Sequence, residues 1–204
     1  MQDNPYPFKS REWYKWTHEE AQAMHGIFLT WVASKASHIQ SVVEIGCGLH
    51  DFYEGRFLEM GATYIGIDHD RQVVIQRLKG ARSWRSGFIH VDMMDETLIE
   101  LPKADLVFSR ATIDHVSDPD RFMRLAIEAA ERYVYIMTYR PPLLDEDQHR
   151  IEHGTDGYCY NDLSMRRIEE VIGEFETKSH QLHVMNTGRP EPEIQTEMHI
   201  EIEV

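Results

Sequence analysis

The strongest constraint on the fold is the stretch from Val42 to Asp51, which reads Val-Val-Glu-Ile-Gly-Cys-Gly-Leu-His-Asp. Its apolar run predicts a buried β-strand, and Gly46 and Gly48 end that strand in a tight turn before a helical pattern begins. In open α/β sheets such a turn lies at the carboxyl end of a parallel strand, where nucleoside cofactors bind. The stretch therefore predicts an α/β fold with a ligand site at one edge of its sheet.

The charges around this turn distinguish two kinds of cofactor. A dinucleotide fingerprint, Gly-x-Gly-x-x-Gly, places a pyrophosphate on the N-terminus of the following helix. Asp51 stands where its third glycine would be, and a carboxylate is unfavourable beside phosphates. Together, Glu44 before the turn and Asp51 after it suit a ligand with a positive charge, such as an ammonium or sulfonium group. A nicotinamide dinucleotide is the alternative.

Composition limits the partners of the chain. Its 204 residues are 42% hydrophobic and 27% charged, which fits a single globular domain over 1–204. The formal net charge is −14, and we expect no nucleic-acid partner because nucleic-acid binding depends on neutralised phosphates. Two cysteines, Cys47 and Cys159, are too few for a disulfide framework, and no apolar run is long enough for a signal sequence or a membrane span. We therefore expect a cytoplasmic protein without a membrane partner.

Further apolar runs and turn residues predict the rest of the fold. The expected parallel strands are 63–68, 88–92, 104–109 and 133–137, and a hairpin pairs 177–185 with 195–204. The expected helices begin at Thr17, Asp51, Asp70, Asp118-Pro119 and Ser164. This order predicts a Rossmann-like, doubly wound, seven-stranded sheet that is mostly parallel, with a C-terminal antiparallel hairpin and N-terminal helices. Within it we expect a helical cap at 1–40, a cofactor-binding core at 41–138, a variable loop at 139–163, and a helix and hairpin at 164–204.

An acidic residue ends the second predicted strand. One strand–turn–helix–strand unit separates Asp68 from Glu44, so both lie at the same edge of the sheet. A carboxylate at this position can accept hydrogen bonds from both hydroxyls of a ribose. Asp68 is therefore the predicted ribose ligand, whereas Asp70 fits better as the N-cap of the next helix.

Two separate stretches resemble one family. Glu44, Gly46 and Gly48 are in register with the acidic-x-Gly-x-Gly-x-Gly motif of class I S-adenosylmethionine (SAM)-dependent methyltransferases, with His50 where that family usually has its third glycine. The run from Asp105 to Phe122 resembles the segment after strand four in the small-molecule methyltransferases of the type 11/25-like group, with its Asp-Leu-Val, His-Val and Asp-Pro elements. The resemblance implies transfer of a methyl group from SAM to oxygen or nitrogen of a small-molecule acceptor, leaving S-adenosylhomocysteine (SAH).

The resemblance also implies roles for individual residues. In this family the acid after strand three accepts a hydrogen bond from the adenine amino group, and its apolar neighbour packs on the ring, which implies Asp92 and Met93. The implied cofactor-binding set is completed by two strand-end residues, His69 and Ser109. The alternatives are an NAD(P)-dependent oxidoreductase of Rossmann type and a non-catalytic binding module, since His50 could crowd the cofactor.

Catalytic and acceptor-binding candidates come from the same edge and from the N-terminal cap. His115 is the candidate general base, which a hydroxyl acceptor requires; the alternative is that it orients a loop. Arg110 and Arg140 follow predicted strands and could hold a carboxylate or phosphate of the acceptor. Tyr14 and His18 could contribute to the acceptor pocket, or the aromatic residues around them could be core residues.

The sequence favours no metal site. His149 and His153 are four residues apart, a spacing that binds metal on a helix, but no helical periodicity surrounds them and a solvated acidic loop is the preferred interpretation. Catechol-type methyltransferases bind magnesium through an Asp-Asn pair after strand five, where this chain has Tyr139-Arg140. Neither mechanism based on a metal is supported.

Overall fold

A seven-stranded sheet is the framework of the chain. The computed structural model describes residues 25–49, 52–98, 100–155, 157–186 and 196–204. Nine strands lie in these ranges: β1 Ser41–Ile45, β2 Thr63–Asp68, β3 Ser86–His90, β4 Ala104–Arg110, β5 Ala130–Met137, β6 Arg150–His153, β7 Cys159–Asp162, β8 Ser179–Asn186 and β9 Thr196–Glu203. The large sheet has the order β3-β2-β1-β4-β5-β9-β8. Strands β1 to β5 are parallel, and β9 is antiparallel to both β5 and β8. The predicted fold class is confirmed.

Helices cover both faces of this sheet. In the described ranges they are α1 at 25–35, α2 Glu54–Glu59, α3 Arg71–Gly80, α4 Pro119–Ala129 and α5 Met165–Ile172, with 3-10 turns at Ala36–His38 and Ile113–His115. One core cluster joins Phe28 of α1, Phe57 of α2 and Val73 of α3 to the sheet; we call this side the α1–α3 face. The other joins Phe122 of α4 and Ile168 of α5 to the sheet and forms the α4–α5 face.

Alternation along the strands assigns residues to these two faces. In β1, Val42 packs on the α1–α3 face and Val43 on the α4–α5 face, because successive side chains of a strand point to opposite sides. In β5, Tyr133, Tyr135 and Met137 pack on the α1–α3 face. Both faces are apolar because helices cover both sides of the parallel strands, as in doubly wound folds.

Side-chain caps begin the predicted helices at three of the expected positions, and at one of them the Ser164 hydroxyl accepts a hydrogen bond from the Arg167 N–H at 3.1 Å. Asp70 accepts a hydrogen bond from the Gln72 N–H at 2.8 Å, and Asp118 accepts one from the Arg121 N–H at 2.9 Å, with Pro119 as the first residue of α4. These bonds satisfy N–H groups that a helix start leaves without partners. Helix α4 ends at Ala129 and β5 begins at Ala130, so no loop residue separates them.

Helix α2 differs from the prediction. We expected a helix that begins at Asp51 with Glu54 as its reciprocal cap, but α2 begins at Glu54, and Asp51 lies outside the described residues. Glu54 is buried and forms an ion pair with the buried Arg77 of α3 at 3.3 Å. A buried guanidinium requires a carboxylate partner, so Glu54 joins two helices instead of capping its own.

The segment 139–163 also differs from the prediction. We expected a variable loop, but β6 and β7 form a two-stranded antiparallel sheet within it; we call this the β6–β7 hairpin. Burial alternates along β7, with Cys159 and Asn161 buried and Tyr160 and Asp162 half-buried. The strands are short and mostly polar, so their pattern is weak in the sequence. None of the helices in the described ranges is long and apolar enough to span a membrane.

Candidate functional site at the carboxyl edge of the sheet

The glycine turn after β1 approaches β4 closely on one side and is open on the other. Gly46 has φ 74°, and a Cβ at this residue would lie 1.9 Å from Thr112 Oγ1, so only glycine fits beside the end of β4. Gly48 has φ 56°, and none of the described residues lies within 4 Å of the position of its Cβ. As far as the described residues go, there is space beside the backbone of the turn.

Asp68 holds this turn in place from the end of β2. It is 7% exposed, and its Oδ2 accepts a hydrogen bond from the Gly48 N–H at 2.9 Å. Its Oδ1 accepts one from the Asp70 N–H at 2.9 Å. A carboxylate has about four lone-pair positions, so Asp68 can accept further hydrogen bonds from a ribose. The neighbouring His69 ring is exposed, with Nδ1 3.5 Å from Asp68 Oδ1.

Glu44 is buried beside an aromatic residue of the next strand. Its Oε2 accepts a hydrogen bond from the Tyr64 hydroxyl, and both side chains are buried. Burial, followed by the charge of Glu44, raises the pKa of Tyr64 well above its usual range. The Glu44 carboxylate, which we predicted to face the cationic end of the cofactor, therefore lies between β1 and β2, just before the turn.

Three further predicted residues have different surroundings. Asp92 is exposed beyond the end of β3, and its Oδ1 accepts a hydrogen bond from the Met94 N–H at 2.8 Å. Met93 is 5% exposed and belongs to the core on the α4–α5 face. Ser109 is fully buried, and its hydroxyl donates to the Ile45 carbonyl at 2.8 Å. Ser109 thus ties β4 to the last residue before the glycine turn.

Both ring nitrogens of His115 are engaged. Nδ1 lies 2.8 Å from the Cys159 carbonyl oxygen, and Nε2 lies 2.8 Å from the Tyr139 hydroxyl. A carbonyl only accepts, so Nδ1 carries a proton and donates it to Cys159, and when the ring is neutral Nε2 accepts from the Tyr139 hydroxyl. Burial raises the pKa of Tyr139, which keeps its hydroxyl protonated. His115 therefore connects the 3-10 turn after β4 with Tyr139, the second residue after β5, and with the β6–β7 hairpin.

Asp114 is a feature that the sequence interpretation missed. It is fully buried, its Oδ2 lies 3.4 Å from the Tyr139 N–H, and its Oδ1 has no hydrogen-bond partner among the described residues. Burial raises its pKa to about 8, so it holds a proton at neutral pH. In the sequence, Asp114 is an acidic residue between the apolar Ile113 and His115. This pattern is equally typical of an exposed loop.

The two predicted arginines differ in their partners. Arg140 donates from Nε and Nη2 to Asp162 at 2.8 and 2.7 Å, so it is tied to the β6–β7 hairpin. The Arg110 guanidinium lies 5.3 Å from the centroid of the Phe52 ring, and no carboxylate of the described residues lies within 4 Å of it. Among the described residues, Arg110 therefore lacks the carboxylate partner that Arg140 has.

The remaining candidates do not form a metal site. His149 lies 3.1 Å from Asp120 Oδ1 through Nε2 and accepts from the Ser164 N–H, whereas His153 lies 3.5 Å from Cys159 Sγ. Within the described ranges no group of three or more histidine, cysteine or acidic residues could hold a metal ion. Tyr14, His18 and His50 lie outside the described residues.

A comparison with protein families identifies the class of domain. Residues 43–130 match the family model described as a methyltransferase domain. These residues, which are less than half of the chain, are similar to a methyltransferase domain. The matched segment includes the glycine turn, Asp68, Asp92 and the 3-10 turn with His115. No curated protein sequence matches the chain at a significant level.

Solved structures share the fold of the methyltransferase domain at low sequence identity. A SAM-dependent methyltransferase from Mesorhizobium loti has a TM-score of 0.62 at 15% identity, covering 85% of this chain and 97% of the other. The magnesium protoporphyrin IX methyltransferase from Synechocystis PCC 6803, solved with bound SAM, has a TM-score of 0.65 at 13% identity, covering 98% and 94%. A phosphoethanolamine N-methyltransferase from Haemonchus contortus has a TM-score of 0.58 at 15% identity, covering 80% and 48%. SAM is the cofactor of this class of domain.

Proposed function

We propose that the chain transfers the methyl group of SAM to an oxygen or nitrogen atom of a small-molecule acceptor. The observation that supports this most is the glycine turn. Its Gly48 backbone is open to a ligand, while Asp68 holds the Gly48 N–H and keeps unused lone pairs. The carboxylates of Glu44 and Asp68 make this end of the sheet negative, which suits a sulfonium cofactor better than a pyrophosphate.

The residues at this edge fit the parts of SAM. We propose that Asp68 binds the ribose hydroxyls, with His69 beside it, and that the exposed Asp92 binds the adenine amino group. Met93 and Ser109 support the site from the protein interior, since Met93 is packed in the core and Ser109 donates to the Ile45 carbonyl. The Gly46 to Gly48 turn leaves room for the methionine portion.

Bound SAM supplies an activated methyl group, so the protein mainly has to align the acceptor and exclude water. An amine can attack directly, whereas a hydroxyl must lose a proton. His115 is the candidate general base that would accept that proton, but its Nε2 is already hydrogen-bonded to Tyr139. We propose that its main role is to position the β6–β7 hairpin beside the site. The net charge of −14 favours a small acceptor over a nucleic acid.

Calorimetry with SAM, SAH and NAD(H) tests the proposal. We expect binding of SAM and SAH without comparable binding of NAD(H); tight NAD(H) binding without SAM binding would make the chain an oxidoreductase. A protein that folds normally, yet shows no rise in melting temperature with SAM, would be a non-catalytic module. Methyl labelling in a cell extract, followed by mass spectrometry of the labelled product, identifies the acceptor.

A further inference from the structure

Arg110 is a cation without an anionic partner in the described part of the chain. Its Nε is buried and has no hydrogen-bond partner there, although the guanidinium packs over Phe52. Two other arginines with low exposure form ion pairs with carboxylates, Arg140 with Asp162 and Arg77 with Glu54. A buried donor without an acceptor is costly, so this position favours a ligand with an anionic group.

Glu197 is a buried acidic residue on the same α1–α3 face of the sheet as Arg110. The residue is 5% exposed, and its carboxylate accepts no hydrogen bond from the described residues. Its ion-pair contact among the described residues is with His199 Nε2 at 3.8 Å, which is too long for a hydrogen bond. The other nitrogen of His199 is bonded to the Tyr135 hydroxyl at 2.6 Å. The described residues therefore provide no hydrogen-bond donor to the Glu197 oxygens, and a bound ammonium group would supply one.

Strand register brings the two groups to one face and one edge. Arg110 of β4 is paired with Met137 of β5, and Met137 is paired with His199 of β9. Glu197 is two residues from His199, so it points to the same α1–α3 face. Two strand spacings of about 4.8 Å separate β4 from β9, and no ion pair within 4 Å joins Arg110 to Glu197 in the described residues. The two charges are close but separate.

The charges of Arg110 and Glu197 both act on the Tyr53 hydroxyl. Burial raises the pKa of its hydroxyl; Arg110 opposes this rise and Glu197 adds to it. The buried Tyr53 ring, which packs against Phe28 of α1, and the Phe52 ring under the guanidinium provide apolar surface near Arg110. These surroundings would suit a short molecule with a charge at each end.

We propose that this region of the α1–α3 face is the acceptor pocket and that the acceptor carries both an anionic group and an amino group. The guanidinium of Arg110 binds the anionic group, a carboxylate or a phosphate, through paired N–H donors. The carboxylate of Glu197 accepts hydrogen bonds from the amino group. A neutral molecule would leave the half-buried Arg110 and the buried Glu197 without a hydrogen-bonded partner of opposite charge among the described residues. This inference rests on the proposed function, which supplies the reason for an acceptor at this edge.

Matched anions with and without an amine test the inference on the full-length protein loaded with SAH. Calorimetry would compare ethyl phosphate with 2-aminoethyl phosphate, and propionate with β-alanine. We expect the amine to increase affinity about tenfold in one pair or the other, as a charge-assisted hydrogen bond does. Arg110→Gln should weaken the binding of every anion in that pair. Glu197→Gln should abolish the advantage of the amine and strengthen binding of the amine-free anion, because a like charge has been removed.

Surface variants of the same residue types provide the controls. Arg124→Gln removes an arginine paired with Glu174, and Glu203→Gln changes the far end of β9; neither should alter the anion affinities. SAH affinity and melting temperature show whether each variant is folded. The inference fails if the amine gives no advantage in either pair, or if that advantage survives Glu197→Gln or anion binding survives Arg110→Gln. Loss of SAH binding by the wild-type protein would instead reject the proposed function.

Discussion

Asp68 stabilises the glycine turn and keeps lone pairs for a ligand, so we expect it to contribute strongly to cofactor affinity. Asp68→Ala removes the acceptor of the Gly48 N–H as well as the proposed ribose contact. The variant should bind SAM about 2 to 4 kcal/mol more weakly, the value of a pair of charge-assisted hydrogen bonds. Calorimetry measures this, with Asp70→Asn as a control that keeps a capping oxygen. Unchanged affinity in Asp68→Ala would place the ribose elsewhere.

Substitution of His115 shows whether this residue is a general base or a positioning residue. Because both nitrogens are engaged, His115→Ala should lower the melting temperature and reduce kcat for a hydroxyl acceptor by less than about tenfold. Removal of a general base costs about a hundredfold or more. Rates of methyl transfer and thermal unfolding decide between the roles. A large loss of kcat with unchanged stability would identify His115 as the base.

Asp114 should make stability depend on pH. Its native pKa of about 8 exceeds the usual value of 3.8, so the native state holds a proton that the unfolded chain has lost. Between these values the free energy of unfolding therefore falls as pH rises. Asp114→Asn resembles the protonated form, and its stability relative to the wild type should rise from about pH 4 to about pH 8. Urea unfolding at several pH values measures this difference; a constant difference would contradict the assignment.

The β6–β7 hairpin depends on one buried side chain for its contact with the 3-10 turn. Asn161 is fully buried, and its Nδ2 donates to the carbonyls of Ile113 and Val116 at 2.8 and 2.7 Å. Asn161→Ala leaves these carbonyls without a donor, so it should destabilise the protein by about 1 to 3 kcal/mol. Hydrogen exchange should accelerate in 113–116 and 150–162 first. The control Glu146→Ala breaks an exposed ion pair with Arg150 and should change stability little.

This element also shows which parts of the structure the sequence could predict. The parallel strands, the caps at Asp70 and Asp118, and the position of Asp68 follow from local periodicity and turn chemistry. The hairpin does not, because its register depends on contacts such as that of Asn161 with Ile113, which are far apart in the chain. Within the site, the pairing of Arg140 with Asp162 could not be separated from a free arginine by sequence alone.

At the scale of the molecule, the net charge of −14 should act differently on cofactor and product. SAM carries a net positive charge, whereas SAH, which has lost the sulfonium charge, does not. The screening length falls from about 30 Å at 0.01 M salt to about 8 Å at 0.15 M. We therefore expect the association rate of SAM to fall with salt and that of SAH to change little. Stopped-flow fluorescence measures both rates, and equal salt dependence would contradict the expectation.

The direct junction between α4 and β5 restricts how such a chain can change in length. Ala129 ends the helix and Ala130 begins the strand, so an inserted residue has no loop in which to be absorbed. It would unwind the last helical turn, enlarge the irregularity already present where β5 pairs with Ala104–Leu106, or shift β5 by one residue, which would move Tyr135 and Met137 to the opposite face. The segment 81–85 between α3 and β3 is a connection outside helix and strand. Insertions and deletions should therefore be tolerated more readily there than at the α4–β5 junction.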